Sequence, residues 1–515
     1  MQTTSLAFRG HASADVRPLS WQCLMSFRKD FDSNIDFFTI GVSTIGSTDI
    51  IKGVGDVIQE WDKYDYEDFS DRLISMEWVR DQDSVSSVSL AMADIVLDNH
   101  DGLFTPRGGS IYEDFILPYR PIKLYAGFNG ENVPVFIGLT EKMPEVDERN
   151  RTVKFHCIDF LYSLFNRPLD ESLMFQDYTT DLILDELFQM AGLTTNQYNL
   201  DQGFNVIRFA YFEKGTKLGS AVRELMEAEM GRLYMDETGV IQFKNRQNFS
   251  DTPVDSFNYS NIVDIQTSKQ DEIINVVEVK SEVRSVQENQ KSWELGSPVL
   301  VKANSTLDVW ADFQDPVTSV ATPAYDTLNP TDSFFYVNTN EDETGTTSAV
   351  NVTLSSSTAF AKSYKMTFTN SSSTNYYITK LNLWATPARV TEKIYLREED
   401  STSVGKYDER PLPIDNNYIQ KEDEAYSKAH IILNDFSTFG NIKILDVKGN
   451  MAYQLNDAIE IDLPEVAAEN YIISKISCKI MDGKFSQILT GKQRDPQDYF
   501  TIGISTIGGT DVIAP

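Results

Sequence analysis

The sequence holds four histidines, His11, His100, His156 and His430, and three cysteines, Cys23, Cys157 and Cys478. Nucleophilic chemistry would begin where a histidine meets a cysteine, and His156 and Cys157 are adjacent. Consecutive residues of a strand point to opposite faces, however, so a base and a nucleophile at these positions do not share a proton. No HExxH, GxSxG, phosphate-binding glycine loop or zinc-deaminase spacing occurs. The stretch "LDNHDGLFTPRG", Leu97 to Gly108, gathers acids ahead of a glycine as calcium loops do. With Gly102 in the sixth position, Leu97 falls where the first carboxylate is needed and Gly108 where a bidentate glutamate is needed, so the loop fails. Asp98 and Asn99 suit turn hydrogen bonds instead, with Gly102 supplying the permissive backbone. Asp98 and Asp101 are a carboxylate pair of the kind glycosidases use, but nothing singles them out among 77 acids. These residues predict no catalytic centre, no metal site and no cofactor.

Two further sets invite a chemical reading. Trp310, Trp384, Tyr376 and Tyr377 lie in a Ser/Thr/Asn-rich stretch and suit either stacking on sugar or packing within a sandwich, the commoner use. The cysteines are odd in number and form no CxxC, so neither a disulfide framework nor a zinc knuckle is indicated. Val153, Phe155 and Cys157 share one strand face, as do Ile476, Cys478 and Ile480, so these two thiols are expected to be buried and inert.

The elements that position these residues are mainly strands. At 515 residues the chain is too long for one core, and roughly three to five domains are expected. A hydrophobic fraction of 41% and an aromatic fraction of 11% exclude wholesale disorder. The net charge of -32 repels phosphate backbones within a Debye length of roughly 8 Å, which argues against nucleic-acid binding. No run of 18 apolar residues occurs, and "MQTTSLAFRGHASADVRPLSW" lacks a signal-peptide core, so a soluble, cytoplasmically made chain without membrane insertion is expected.

Residues 1–57 read as an arm. Over 58–170, Ala93, Ile95 and Leu97 share one face of a strand, as do Ile122, Leu124, Ala126 and Phe128, and "VPVFIGLT" and "RTVKFHCIDF" add more. Short strands joined by Asp-Gly and Asn-Gly turns suggest a first barrel. Residues 171–252 change period. In "TTDLILDELFQMAG" Ile183, Leu184, Leu187 and Phe188 recur at helical spacing, with Thr180 as the expected cap and Gly192 as the stop. Leu218, Ala221, Val222 and Leu225 stripe a second helix ending at Gly231, and a hairpin turning at Asp236 to Gly239 completes a small α/β domain. Strands return over 253–298, where Val277, Val279 and Val283 alternate with charges. Residues 299–392 read as an inserted β-sandwich, and a helix over "KEDEAYSKAHIILNDF" precedes the strands of 393–497. The strands of 253–298 and 393–497 are expected to pair as an interrupted second barrel. The fold class is therefore mainly β, with two tube-like β-barrels, a small α/β domain and an inserted β-sandwich.

One peptide occurs twice. "DFFTIGVSTIGSTDII" (36–51) and "DYFTIGISTIGGTDVI" (498–513) agree at 12 of 16 positions without gaps. The peptide is strand-prone and lies outside both barrels, so its backbone amides need a sheet supplied from elsewhere. Strand addition to a partner's edge is one way to satisfy them, with Phe37, Phe38, Ile40, Gly41, Ile45 and Gly46, and Tyr499, Phe500, Ile502, Gly503, Ile507 and Gly508, as the docking residues. Completion of the chain's own barrels is the other.

A family resemblance rests on an ordered set of segments. "ADIVLDNHDGLFTP", "LPYRPIKLYAGF", "VFIGLTEKMPEVDERNRTVKFHCIDFLYSL", "LILDELFQMAGL", "GSAVRELMEAEMGRLYMDETGVIQF" and "GNMAYQLNDAIEIDLP" followed by "YIISKISCKIMDGKFSQILTGK" resemble, in this order, the tail-hub or minor tail proteins of long-tailed bacterial viruses. The likeness covers most of residues 13–497 outside the inserted sandwich. It implies a homotrimer in the virion tail tip whose six barrels continue a six-fold tube, close it and carry tip structures. Its implied partners are a distal tail or tail-tube ring protein, a tape-measure protein and tip or fibre proteins. An acidic wall would let a genome slide past, and acidity also serves solubility alone. Two other functions remain open: a receptor- or glycan-binding adhesin acting through residues 299–392, and a tail-associated cell-wall hydrolase.

Overall fold

The structure, a computed structural model, describes residues 1–14, 17–27, 64, 66–82, 88–106, 109–245, 252–269, 273–325, 332–438, 441–464 and 466–493, together with the backbone of 499–500 and 512–513. Mainly β, it has six α-helices and several sheets among the described residues. Among the described residues the largest sheet has fourteen strands, and its hydrogen bonds close into no barrel.

That sheet consists of two strand sets with one topology. The first runs, in order of pairing, Glu67–Asp68, Leu19–Met25, Pro121–Phe128, Glu131–Thr140, Thr152–Ile158, Ser89–Asp98 and Leu73–Gln82. The second runs Asp255–Phe257, Ala458–Leu463, Val466–Met481, Lys484–Gln493, Asn441–Val447 and Ile262–Lys269. In each, the first and last strands of the path are neighbours in sequence, joined by residues 69–72 or 258–261. The strand Leu19–Met25 is extra to the first set. It is antiparallel to both of its neighbours, whereas Asp255–Phe257 pairs directly and in parallel with Ala458–Leu463.

The correspondence reaches single residues. Leu73 pairs with Leu97 and Ser75 with Val96, so Ile74 is squeezed out as a bulge; Ile262 pairs with Val447 and Asp264 with Asp446, squeezing out Val263. Both extra residues are exposed, at 42% and 65%. A bulge lets one strand bend and twist without losing the alternation that keeps Met76, Ile95 and Leu97, or Leu445 and Val447, on the core side. Phe69 and Phe257, each just before the connecting turn, are both buried. One apolar cluster runs through both sets, from Cys23 and Phe104 to Tyr471 and Leu489. Each fully buried large side chain in it contributes about 1.5–3 kcal/mol of burial.

The α/β segment folds where its period changes. The helix Thr180–Met190 buries Ile183, Leu184, Leu187 and Phe188. Its cap is Thr179, one residue earlier than expected. Thr180 is wholly buried, and its hydroxyl donates to the Glu229 carboxylate at 2.8 Å. Gly192 stops this helix at φ +86°. The helix Leu218–Glu229 ends on Met230, which takes the left-handed conformation itself at φ 57°. Gly231 serves a different need, because a Cβ there would stand 2.5 Å from the Phe243 ring. Strands Arg232–Met235 and Ile241–Lys244 form the expected hairpin, joined in parallel by Tyr198–Leu200.

The segment 253–298, read from sequence as part of one sheet with 393–497, divides. Residues 255–257 and 262–269 join the large sheet, but Val276–Val286 pairs with the far half of the 24-residue strand Tyr376–Glu399 and with Pro411–Asp415. Alternating valines fit any sheet with one wet face, so their pattern does not choose between the two. The near half of Tyr376–Glu399 pairs with Gln290–Glu294, Val299–Val301, Val317–Val320 and Phe334–Asn338. Opposite this sheet lie Ser305–Asp312, Ser363–Asn370 and Val352–Ala359, with Val309, Met366, Phe368, Ile378 and Leu383 between the two layers. The helix Glu422–Phe436 packs against Val276–Val286 and the end of the long strand, in one core with the α/β segment.

Candidate assembly surfaces

The two strand sets are joined edge to edge. Val466–Met481 of the second pairs antiparallel with Leu73–Gln82 of the first through seven residue pairs, from Lys475 opposite Asp81 to Met481 opposite Ser75. On the core side Trp78 stacks on Phe485, ring centroids 6.1 Å apart and planes 14° apart. On the outer side Lys475 Nζ lies 2.6 Å from Asp81 and Lys479 Nζ 3.4 Å from Glu77. These pairs are solvent-screened and contribute little stability, but like charges facing there would oppose the register.

A buried polar lock fixes the joint to the α/β segment. Arg80, 4% exposed, donates to the Glu237 carboxylate and, through Nη2, to the Val135 carbonyl at 3.1 Å. Glu237, equally buried, also accepts from Gln454 Nε2 at 2.6 Å. Three segments far apart in sequence thus share one charge pair. Burial pushes the Arg80 guanidinium down to about 10, with Asp236 and Asp159 opposing the shift, so it stays charged at neutral pH. Close by, burial raises the Asp159 carboxyl to about 6, against hydrogen bonds from the Ala91 and Tyr162 amides that hold it down. No sequence pattern announces this lock, because its members stand 157 and 217 residues apart.

The face of the sheet turned away from the core runs unbroken across the joint. The rungs Lys479, Glu77, Asp94 and His156 follow one another in register. Asp94 accepts from Lys154 at 2.8 Å and lies 2.7 Å from His156 Nδ1, and His156 Nε2 lies 3.2 Å from Glu145. Met92, Met481 and Ile488 stand exposed among these charges. Among the described residues the outer edges of Ile262–Lys269 and of Glu145–Asp147, which pairs only with Thr152–Ile158, bear no partner strand, and neither do those of the short strands Glu67–Asp68 and Asp255–Phe257.

Of the docking residues expected from sequence, Phe37, Phe38, Ile40, Gly41, Ile45, Gly46, Ile502, Gly503, Ile507 and Gly508 lie outside the described residues. The backbone of Tyr499 and Phe500 pairs in parallel with Val512 and Ile513, so the ends of the second copy meet each other.

The decoy sites resolve into structure. His156 faces the outer side of its strand and is engaged with acids, while Cys157 is buried and its thiol is pushed well up by burial. Asn99 accepts from the Phe104 amide at 2.9 Å, Gly102 takes φ +72°, and Asp101 pairs with Arg72 at 2.7 Å. Among the described residues no cluster of three His, Cys, Asp or Glu could hold a metal ion, and no helix is long and apolar enough to cross a membrane. Of the four aromatics, Tyr376 is core, Tyr377 and Trp384 are half-buried, and Trp310 is exposed.

No family model matches the sequence, and no curated protein matches it. Solved structures do. The tail protein from Neisseria meningitidis is 10% identical with a TM-score of 0.45, over 83% of this chain and 94% of that one. The 43 kDa tail protein of prophage MuSo2 from Shewanella oneidensis is 12% identical with a TM-score of 0.43, over 83% and 95%. The prophage tail protein gp18 from Listeria monocytogenes is 8% identical with a TM-score of 0.41, over 85% and 94%.

Proposed function

We propose that the chain is a structural hub at the tail tip of a long-tailed bacterial virus, a non-enzymatic virion component that forms a three-membered ring around a pore. The observation that carries this reading is the repeated strand set: same topology, same bulge, and one set hydrogen-bonded edge to edge with the other. In this reading each set is a tube-wall unit, the tube-like barrel expected from sequence. Two units on each of three chains fill two times three, or six, positions, which continues a six-fold tube while offering three-fold symmetry to the tip.

Equivalence also specifies how copies meet. Ile262–Lys269 takes the place in its set that Leu73–Gln82 takes in the first, and the edge ending in Glu145–Asp147 takes the place of Lys475–Met481. Since the latter members pair within the chain, the former, both open, are proposed to pair between chains and to close the ring. The repeated peptide is proposed to dock on a tail-tube or distal tail ring protein, six copies to a ring; tape-measure and tip or fibre proteins are the other partners. Removing residues 498–515 then weakens attachment to tail components and leaves the hub folded.

Imaging the purified chain by electron microscopy, with its mass in solution, tests the ring. Three copies around a pore support it; a monomer, or a closed assembly without a pore, overturns it. Gln266→Pro and Thr267→Pro sharpen the test, because neighbouring strand residues aim their N–H groups at opposite edges. One of the two is expected to disperse the ring without lowering the melting temperature.

A further inference from the structure

The inserted β-region turns one sheet face outward. On the strand Ser305–Asp312 the residues Asp308, Trp310 and Asp312 are exposed, alternating with buried Val309 and Ala311. Register places Trp310, Lys365 and Thr358 in one row across the three strands, and Asp308, Thr367 and Ser356 in the next. Trp310 is 50% exposed and Phe360 is 38% exposed, and their rings lie nearly parallel, 21° apart with centroids at 5.8 Å. Lys365 reaches over the indole at 5.7 Å and pairs with Asp308 at 2.8 Å, and Asp308 also accepts from the Thr367 hydroxyl at 2.7 Å.

We propose that this face binds a neutral pyranose glycan, with Trp310 and Phe360 as its platform and Asp308, Thr367 and Lys365 as its hydrogen-bonding rim. The negative faces of aromatic rings attract the weakly positive C–H face of a pyranose, and the hydroxyls along its edge need donors and acceptors such as these. The surroundings of the pair decide the occupant. A protein interface core needs a broad apolar patch, whereas beyond the two rings this face carries Ser, Thr and Asp. Charge decides the class of sugar. Lys365 is already neutralised by Asp308, and Asp312 leaves the face net negative, which disfavours acidic glycans and anionic polymers.

The test passes the full-length chain over immobilised neutral polysaccharides (α-glucan, β-glucan, mannan and galactan), with polygalacturonate as the acidic comparison, at physiological salt. Retention on at least one neutral polymer is expected. Trp310→Ala should weaken it about tenfold or more, Phe360→Ala by less, and Trp310→Phe least, with melting temperature and oligomeric state unchanged. The proposal is overturned by retention on none of the neutral polymers, by retention on polygalacturonate alone, or by retention that Trp310→Ala leaves intact. A Trp310→Ala variant that folds but changes its oligomeric state also overturns it, by making this face a contact between copies.

Discussion

The two strand sets share a frame and differ in what their connections carry. Between Leu73–Gln82 and Ser89–Asp98 the first set needs only residues 83–88, whereas between Ile262–Lys269 and Asn441–Val447 the second carries the whole inserted β-region and the helix Glu422–Phe436. The reverse holds one connection later. Residues 99–120 of the first set expose Ile111, Phe115, Leu117 and Tyr119, while the matching residues 448–457 tuck Met451, Ala452, Tyr453 and Leu455 into the core. A frame held by register, a bulge and a shared core accepts cargo at any connection that leaves its edges paired. Cargo and frame are therefore separable in a way that the two strand sets are not.

The largest effects are expected at the paired aromatic positions. Phe69 meets Phe27, Phe104 and Tyr112 at 5.2–6.0 Å, whereas Phe257 meets Tyr453 at 5.8 Å. Truncating either to alanine should cost about 3–5 kcal/mol, with Phe69→Ala at the upper end. Urea titrations that put Phe257→Ala higher would break the ranking. Arg80→Ala strands the Glu237 carboxylate in the interior and should cost about 3–5 kcal/mol as well. Arg80→Ala and Gln454→Ala combined should lose less than the sum of the two single losses, since both serve Glu237; simple additivity would show that no such coupling exists.

A third effect belongs to the first set alone. Asp159 follows its last strand, Thr152–Ile158, and caps the helix Phe160–Phe165. Its folded value of about 6 lies above the ordinary aspartate value near 3.9, so the folded state holds the extra proton between these limits. The stability this proton contributes is complete below about pH 4 and is lost by pH 6, about 3 kcal/mol in all. Asp159→Asn should flatten that slope in melting temperatures recorded from pH 4 to 7. A smaller effect is expected from Lys479 and Glu77 at the joint, where a double-mutant cycle should give about 0.2–1 kcal/mol, fading with salt. Smallest is the loss of cargo. Val286 faces Ala388 across an antiparallel pair, so replacing 287–387 by Asn-Gly supplies a two-residue hairpin. The shortened chain should keep its melting transition and assemble as the full chain does, and calorimetry together with imaging would reveal a frame that depends on what it carries.

Much of the frame is legible in the residues. The alternation of Ala93, Ile95 and Leu97, and of Ile476, Cys478 and Ile480, marks buried strand faces because a pleated chain offers every second side chain to one side. Helical spacing marks Thr180–Met190 to within one residue at its cap. Pairing is not legible, since Val277, Val279 and Val283 carry no sign of which strand they will meet. The Arg80 lock is equally silent, because its partners meet only once three segments have packed. Trp310 stands out by type together with Trp384, Tyr376 and Tyr377, and only its place on an outward register separates it from them.

The edge-to-edge joint has a consequence for how the chain is made. Asp81 and Lys475 face each other although 394 residues separate them. At about 5–20 residues per second, the strand Leu73–Gln82 leaves the ribosome roughly 20–80 s before the strand that will cover it. Throughout that interval its hydrogen-bonding edge is open to any neighbouring nascent chain, and the bulge at Ile74 with the carboxylates of Glu77 and Asp81 is what guards it.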